Sequence, residues 1–316
     1  MLQSIILLLV PLFFVIGLGY YAGRTRRLDA HQSAGLNRLL VEFALPAALF
    51  TGTMQTPRDA LLQLGPLIAA LLSVYVMFWI LGNVIARVWF QHSAGEAVVQ
   101  ATAVAFPNTG FMGVPILGGL FGASSVVTVA VATVLGTLTF IPVAVIVLEI
   151  VQGRRTAGES KTWRAVVLPA FANAARAPLT WAPILAAALV LLDVHLPQVV
   201  LSMLNLIGSA TAGLAMFAAG LMLAMYPLRL NREALVNAVV KMILQPAAML
   251  LIVRAMGMLH PLDVQGVILT ALPTPVLATI LAARYQTYRS EASSALVLTS
   301  LCLLVTLPLW MWWLAP

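Results

Sequence analysis

Apolar residues fill this chain in long runs, and short polar stretches interrupt them at regular intervals. A helix needs about 20 apolar residues to cross a bilayer. Ten runs reach that scale, over roughly 2–22, 34–54, 62–86, 95–121, 124–151, 178–194, 197–225, 232–256, 263–284 and 291–314. Several are longer than needed, which implies tilt. The pattern predicts an all-α membrane protein with ten transmembrane helices.

Two runs contain residues that a plain spanning helix avoids. Phe106-Pro107-Asn108-Thr109-Gly110-Phe111-Met112-Gly113-Val114-Pro115 sits in the middle of the fourth. Pro107 removes a backbone donor and its ring clashes with the preceding turn. Gly110 and Gly113 loosen the next turn, and Pro115 is a second break. Leu272-Pro273-Thr274-Pro275 interrupts the ninth run in the same way. Backbone groups freed at membrane depth cannot face lipid, so they must meet protein, water or a ligand. Such broken helices mark transporter binding sites. Leu36-Asn37 recurs as Leu204-Asn205, and Arg58-Asp59-Ala60-Leu61 as Arg232-Glu233-Ala234-Leu235, at similar offsets. The chain reads as two five-helix repeats, 1–151 and 178–316, joined by a connector over 152–177. An odd number of helices per repeat inserts the second copy inverted, the architecture of secondary transporters.

Composition and charge narrow the class. Hydrophobic residues make up 62% of the chain and charged residues 9%, against about 25% charge in soluble domains. The net charge of +7 is spread over short loops, so it forms no continuous patch for nucleic acid. Loops after odd-numbered runs hold Arg24, Arg26, Arg27, Arg87, Arg154, Arg155, Lys161, Arg164, Arg176, Arg229, Arg232, Arg284 and Arg289. The opposite loops hold Arg58, with Arg254 near a helix end. The positive-inside rule then makes the basic side cytoplasmic and leaves both termini outside the cytoplasm. The first run lacks a basic leader and a small-residue cleavage site, so it reads as a retained signal anchor. Trp310, Trp312 and Trp313 suit an aromatic anchor at the outer interface. The connector reads as a solvated cytoplasmic loop, with 166–175 as a short interfacial helix. A single cysteine, Cys302, offers no disulfide framework, and nothing calls for a metal or cofactor.

The motifs resemble those of the auxin efflux carrier family. Gly35-Leu36-Asn37-Arg38 with Phe43-Ala44-Leu45-Pro46 is similar to its second helix. Pro107-Asn108-Thr109 with Met112-Gly113-Val114-Pro115 is similar to its fourth. Gly213-Leu214-Ala215-Met216-Phe217 resembles the seventh, and Ala271-Leu272-Pro273 with Ala283-Arg284-Tyr285 the ninth. The short connector is like that of bacterial members. The segment from Phe43 to Phe50, with Gln55-Thr56-Pro57, looks most like the malonate transporter branch. The resemblance implies a scaffold of helices 1, 2, 6 and 7. Helices 3–5 and 8–10 then form a transport domain that moves as an elevator, with helices 4 and 9 crossing at their breaks. It further implies a bacterial inner-membrane location and a homodimer through the scaffold. The plant members place an acidic and a basic residue in the third helix; here 67–81 carries no charge.

Individual residues then take candidate roles. Asn108 can donate its amide to a substrate carboxylate, aided by the positive end of the half-helix beginning near Thr109. The alternative is that Asn108 only caps that half-helix. Thr274 holds the matching place in the second repeat, either toward the ligand or as a cap. Pro107, Pro273 and Pro275 shape the crossing. Glu42 is an ionisable residue inside a span, and Arg38 at i, i+4 is its natural partner. Lys241 can pair with Glu42, attract an anion or snorkel to the interface. His31, His92, His195 and His260 fall in separated loops and read as solvated.

These readings point to a secondary carrier for a small organic carboxylate, with malonate the candidate substrate. A sodium-coupled organic anion symporter is the alternative, because hydroxyls and carbonyls can hold sodium. A cation–proton antiporter would need carboxylates at the crossing, and none is there. An ATP-driven pump would need a phosphate-binding loop, which is absent from the sequence. A membrane-embedded protease would need paired aspartates, a Ser/His pair or a metal site, and Asp29, Asp59, Asp193 and Asp263 all fall in loops or at helix ends.

Overall fold

The computed structural model describes residues 2–155, 163–226 and 228–314, and among these every regular element is helical. In chain order the helices are α1 (Leu2–Arg24), α2 (Ala30–Met54), α3 (Arg58–Trp89), α4 (Ala94–Ala105), α5 (Val114–Phe121), α6 (Ala123–Gln152) and α7 (Trp163–Arg176). They continue as α8 (Pro178–Leu191), α9 (Gln198–Met225), α10 (Arg232–Ala255), α11 (Leu262–Thr270), α12 (Val276–Arg284) and α13 (Arg289–Leu314). Seven described stretches are long and apolar enough to cross a membrane: α2, α3, Ala94–Phe121 (which contains α4 and α5), α6, α9, α10 and α13. The first, sixth and ninth apolar runs are helical too, as α1, as the short α8, and as the divided pair α11 and α12.

Several helix starts follow from local chemistry. Asp29 and Gln32 form a reciprocal cap at α2, with bonds of 2.8 and 2.9 Å. Ser93 and Glu96 do the same at α4. Each device satisfies amide donors that have no partner within the helix.

The short helix expected over 166–175 of the connector is present and runs slightly longer. This 14-residue helix, α7, occupies most of the connector and packs along the end of α6. Residues 156–162, with most of the connector's turn formers, lie outside the described residues. The α7–α8 pair bends by 59°. Ala177 precedes Pro178, and the proline ring excludes the helical region there; Ala177 accordingly sits at ψ 132°.

Five π-helical turns occur among the described residues. Four have a proline two positions after their end: Leu40–Ala44 with Pro46, Thr109–Gly113 with Pro115, Gly136–Phe140 with Pro142, and Val240–Leu244 with Pro246. The ring pushes against the carbonyl four residues back and supplies no donor to it. A widened turn upstream relieves that clash. In α10 the carbonyl so affected is Met242, and it accepts from Trp310 Nε1 at 3.0 Å. Trp310 is therefore a buried partner of α10, 8% exposed, and not an interfacial anchor as its position suggested. Trp312 and Trp313 remain exposed.

Two sets of packing surround the broken helices. α1 lies against the second half of α9 with almost no space between backbones. A Cβ on Gly19 would come within 2.0 Å of the Phe217 carbonyl oxygen, and one on Gly220 within 1.9 Å of that of Ile16. α2 packs on α8 and on the first half of α9, where Gly208 abuts the backbone at Ala48. On the other side α3 packs on α4 and α10, α4 on α6, and α13 on α10 and α12. Small residues drive such contacts in a bilayer, because close backbone approach replaces the hydrophobic drive.

Candidate functional site

The two breaks meet. The main-chain N–H of Asn108 donates to the Pro273 carbonyl at 3.0 Å, a bond that ties the fourth apolar run to the ninth. Asn108 has φ −77° and ψ 61°, and Thr109 N–H donates to the Pro107 carbonyl at 2.9 Å. These are the marks of an inverse γ-turn centred on Asn108. Its carbonyl accepts from Met112 at 3.0 Å and so starts the turn that leads into α5.

The backbone of Asn108 is thus fully engaged, but its side chain is not. The residue is 3% exposed, it makes no capping bond, and Nδ2 has no hydrogen-bond partner among the described residues. Thr274 repeats the arrangement: its N–H donates to Thr299 Oγ1 at 3.1 Å while its own buried hydroxyl has no partner among the described residues. α12 begins after Pro275 without a side-chain cap. Neither residue does the capping that each could have done. A buried donor left unpaired costs about 1–3 kcal/mol, and such groups call for an explanation.

A cavity of about 220 Å³ opens beside Asn108, lined from the crossing by Pro107, Thr109, Gly110 and Pro275. Thr133 and Thr137 of α6 face it, as do Val41 of α2 and Leu179 of α8. Thr109 and Thr133 hydroxyls lie 2.9 Å apart, and Thr133 is also 2.7 Å from the Val129 carbonyl. Thr274 does not line this cavity; its N–H is held by Thr299 Oγ1 of α13. A larger void of about 660 Å³ lies between α1, α9 and α13, but it reaches only Met112 of the breaks. The smaller one lies at the crossing itself, and its size suits a ligand smaller than the drug-sized molecules of typical pockets.

The charged candidates separate from one another. Arg38 Nε donates to Glu42 Oε1 at 2.9 Å, on side chains 76% and 42% exposed. Glu42 therefore lies away from the crossing. Lys241 is fully buried and bonds to neither. Its Nζ donates to Gln245 Oε1 and, at 3.4 Å, to the Thr270 carbonyl. Gln245 Nε2 donates in turn to the Ala105 carbonyl at 2.6 Å. Ala105 and Thr270 are the last residues of α4 and α11, so one Lys–Gln pair ties the carbonyl ends of both broken helices. The i, i+4 spacing of Lys241 and Gln245 was a signal for that pair within the sequence.

His92 also departs from the solvated-loop expectation. Its Nε2 is 2.8 Å from Glu233 Oε1, the acceptor of the Tyr288 hydroxyl. Asn237 donates to that hydroxyl at 3.1 Å and accepts from Gln100 at 2.9 Å. This buried chain joins α4, α10 and the start of α13.

Apolar spans with two broken helices that meet at a buried polar point define a multi-pass membrane transporter. The chain belongs to the family described as Membrane transport protein, the auxin efflux carrier family, whose profile matches residues 4–311. It is 31% identical over 307 residues to the "Uncharacterized transporter YfdV" of Escherichia coli (strain K12), covering 96% of each chain. It is 28% identical over 302 residues to the "Putative malonate transporter" of Rhizobium meliloti (strain 1021), covering 95% of this chain and 92% of that one. An "Uncharacterized transporter" of Methanothermobacter thermautotrophicus is 26% identical over 306 residues, with 93% of each covered.

Proposed function

We propose that the protein is a secondary carrier of a small organic carboxylate, bound at the crossing with Asn108 as its principal side-chain donor. One observation carries this reading: Asn108 lines a small cavity, and its buried Nδ2 has no hydrogen-bond partner among the described residues. A carboxylate leaving water needs directional donors to offset its lost hydration. The Asn108 amide supplies one. The Thr109 hydroxyl stands beside it, and the amino end of the turn into α5 adds a favourable field. Pro107, Pro273 and Pro275 hold the breaks open, and Thr274 supports them from the second repeat. Malonate is the first substrate to test, because one relative bears its name and the cavity is small.

The same reading includes a moving domain. α1, α2, α8 and α9 serve as the scaffold, and α3–α6 with α10–α13 as the transport domain. The cavity lies where Val41 and Leu179 of the first group face the crossing in the second. Sliding one group against the other would expose the site to either side in turn, the elevator form of alternating access. Ten spans in two inverted repeats, both termini outside the cytoplasm, complete the reading. A periplasm-active reporter fused after Pro316 should be active, and one fused at Gly158 silent.

The direct test uses purified protein in liposomes loaded with unlabelled malonate. Uptake of labelled malonate by exchange, saturable and absent from protein-free liposomes, is the expected result. Failure of a panel of mono- and dicarboxylates to bind or exchange would refute the organic anion reading.

A further inference from the structure

Lys241 is a basic side chain carried on a span and closed off from solvent. Such a group normally has a carboxylate partner. Among the described residues none meets it. The acid on its own helix, Glu233, is two turns away and engaged by Tyr288 and His92. The acids of the helices packed nearby, Glu96 of α4, Asp263 of α11 and Glu291 of α13, lie about two turns or more along their helices from the groups presented here: α4 presents the Ala105 carbonyl through Gln245, α11 presents the Thr270 carbonyl, and α13 presents Trp310 to the adjacent Met242.

The negative ends of two helix dipoles take the carboxylate's place. α4 ends at Ala105 and α11 ends at Thr270. Each carbonyl end carries roughly half a negative charge, so the two together come to about one. In transporters with broken helices, carbonyl ends of this kind are where a coupling cation binds. Here a side chain has arrived first. Ala105 and Thr270 lie only three and four residues before Asn108 and Thr274. The Lys241 side chain therefore meets the chain one turn before the crossing.

We infer that Lys241 is a tethered counter-cation, held by Gln245 and the carbonyl ends of α4 and α11 in place of a coupling sodium ion. Transport is then independent of sodium. The lysine also favours an anion at Asn108 without any ion being recruited from solution. This rests on the carrier reading for its purpose, but the cation cradle can be tested without any substrate.

The test is thermal unfolding of the full chain in detergent, in sodium chloride against choline chloride at equal ionic strength. The wild type should melt at the same temperature in both. Lys241→Ala frees Gln245 Oε1 and the Thr270 carbonyl, and sodium should then bind. At sodium tenfold above its dissociation constant, that variant should melt about 2 °C higher than in choline. A sodium-specific rise in the wild type, or a folded Lys241→Ala blind to sodium, overturns the inference. Lys241→Gln covers the case in which the alanine variant cannot be purified. It keeps a donor toward Gln245 but removes the charge, so malonate affinity should fall about tenfold with melting little changed; unaltered affinity overturns the inference. If the wild type binds no malonate, the substrate reading fails while the salt comparison still decides the cradle.

Discussion

Removal of the Asn108 amide separates a binding residue from a structural one. In the folded protein that side chain makes no cap and its Nδ2 has no partner among the described residues. Asn108→Ala therefore breaks no internal hydrogen bond made by Nδ2, and it removes a buried unpaired donor. Melting temperature should hold or rise slightly, because an unsatisfied group is lost and not created. The bond to Pro273 that ties the crossing comes from the main chain and survives the substitution. Binding should behave otherwise. A hydrogen bond to a charged acceptor contributes about 1.5–3 kcal/mol, so affinity for the anion should fall about tenfold to a hundredfold. Asn108→Asp keeps the shape and places a like charge beside the substrate, in a position 3% exposed, and should bind worse still. The assay is calorimetric titration of malonate into purified protein, with thermal unfolding in parallel. A helix cap predicts the reverse order, since aspartate caps as well as asparagine and alanine does not. Asn108→Ala that unfolds early, together with Asn108→Asp that binds like wild type, would refute the reasoning.

Three further substitutions test the architecture. Trp310→Phe leaves the buried Met242 carbonyl without its indole donor; melting should drop by several degrees for a loss of about 1–3 kcal/mol, while Trp312→Phe, at an exposed site, should not change it. Gly19→Ala and Gly220→Ala each set a Cβ about 2 Å from a facing carbonyl oxygen and must force α1 away from α9, whereas Gly17→Ala meets nothing within 4 Å; a fluorescence-detected size-exclusion profile that is unchanged in the first two would contradict the tight packing. Glu42→Gln breaks an exposed pair worth roughly 0.3–0.5 kcal/mol, so yield and the pH profile of uptake should stay close to wild type, and a flattened profile at full expression would make Glu42 a coupling residue.

Much of this protein is written in local pattern. Apolar runs set the helices, because lipid leaves a backbone no other partner than itself. Pro107 and Pro273 announce the breaks, because a proline cannot continue the ladder wherever the chain goes. Arg38 and Glu42, one turn apart on a single helix, needed only helical geometry to be paired. What the pattern left open lay in contacts between distant segments. Nothing local distinguishes a capping Asn108 from a free one; the γ-turn and the bond to Pro273 turned its amide away from the helix it precedes. Trp310 had the address of an interfacial anchor, and only the carbonyl orphaned by Pro246, 64 residues earlier in the chain, drew it inward. Lys241 had three candidate roles by sequence, and its place was decided by two distant helix ends, the Thr270 carbonyl directly and the Ala105 carbonyl through Gln245. Periodicity fixes what a residue's own helix can offer it, whereas the partner for a buried polar group is chosen by which chain ends the fold brings within about 3 Å.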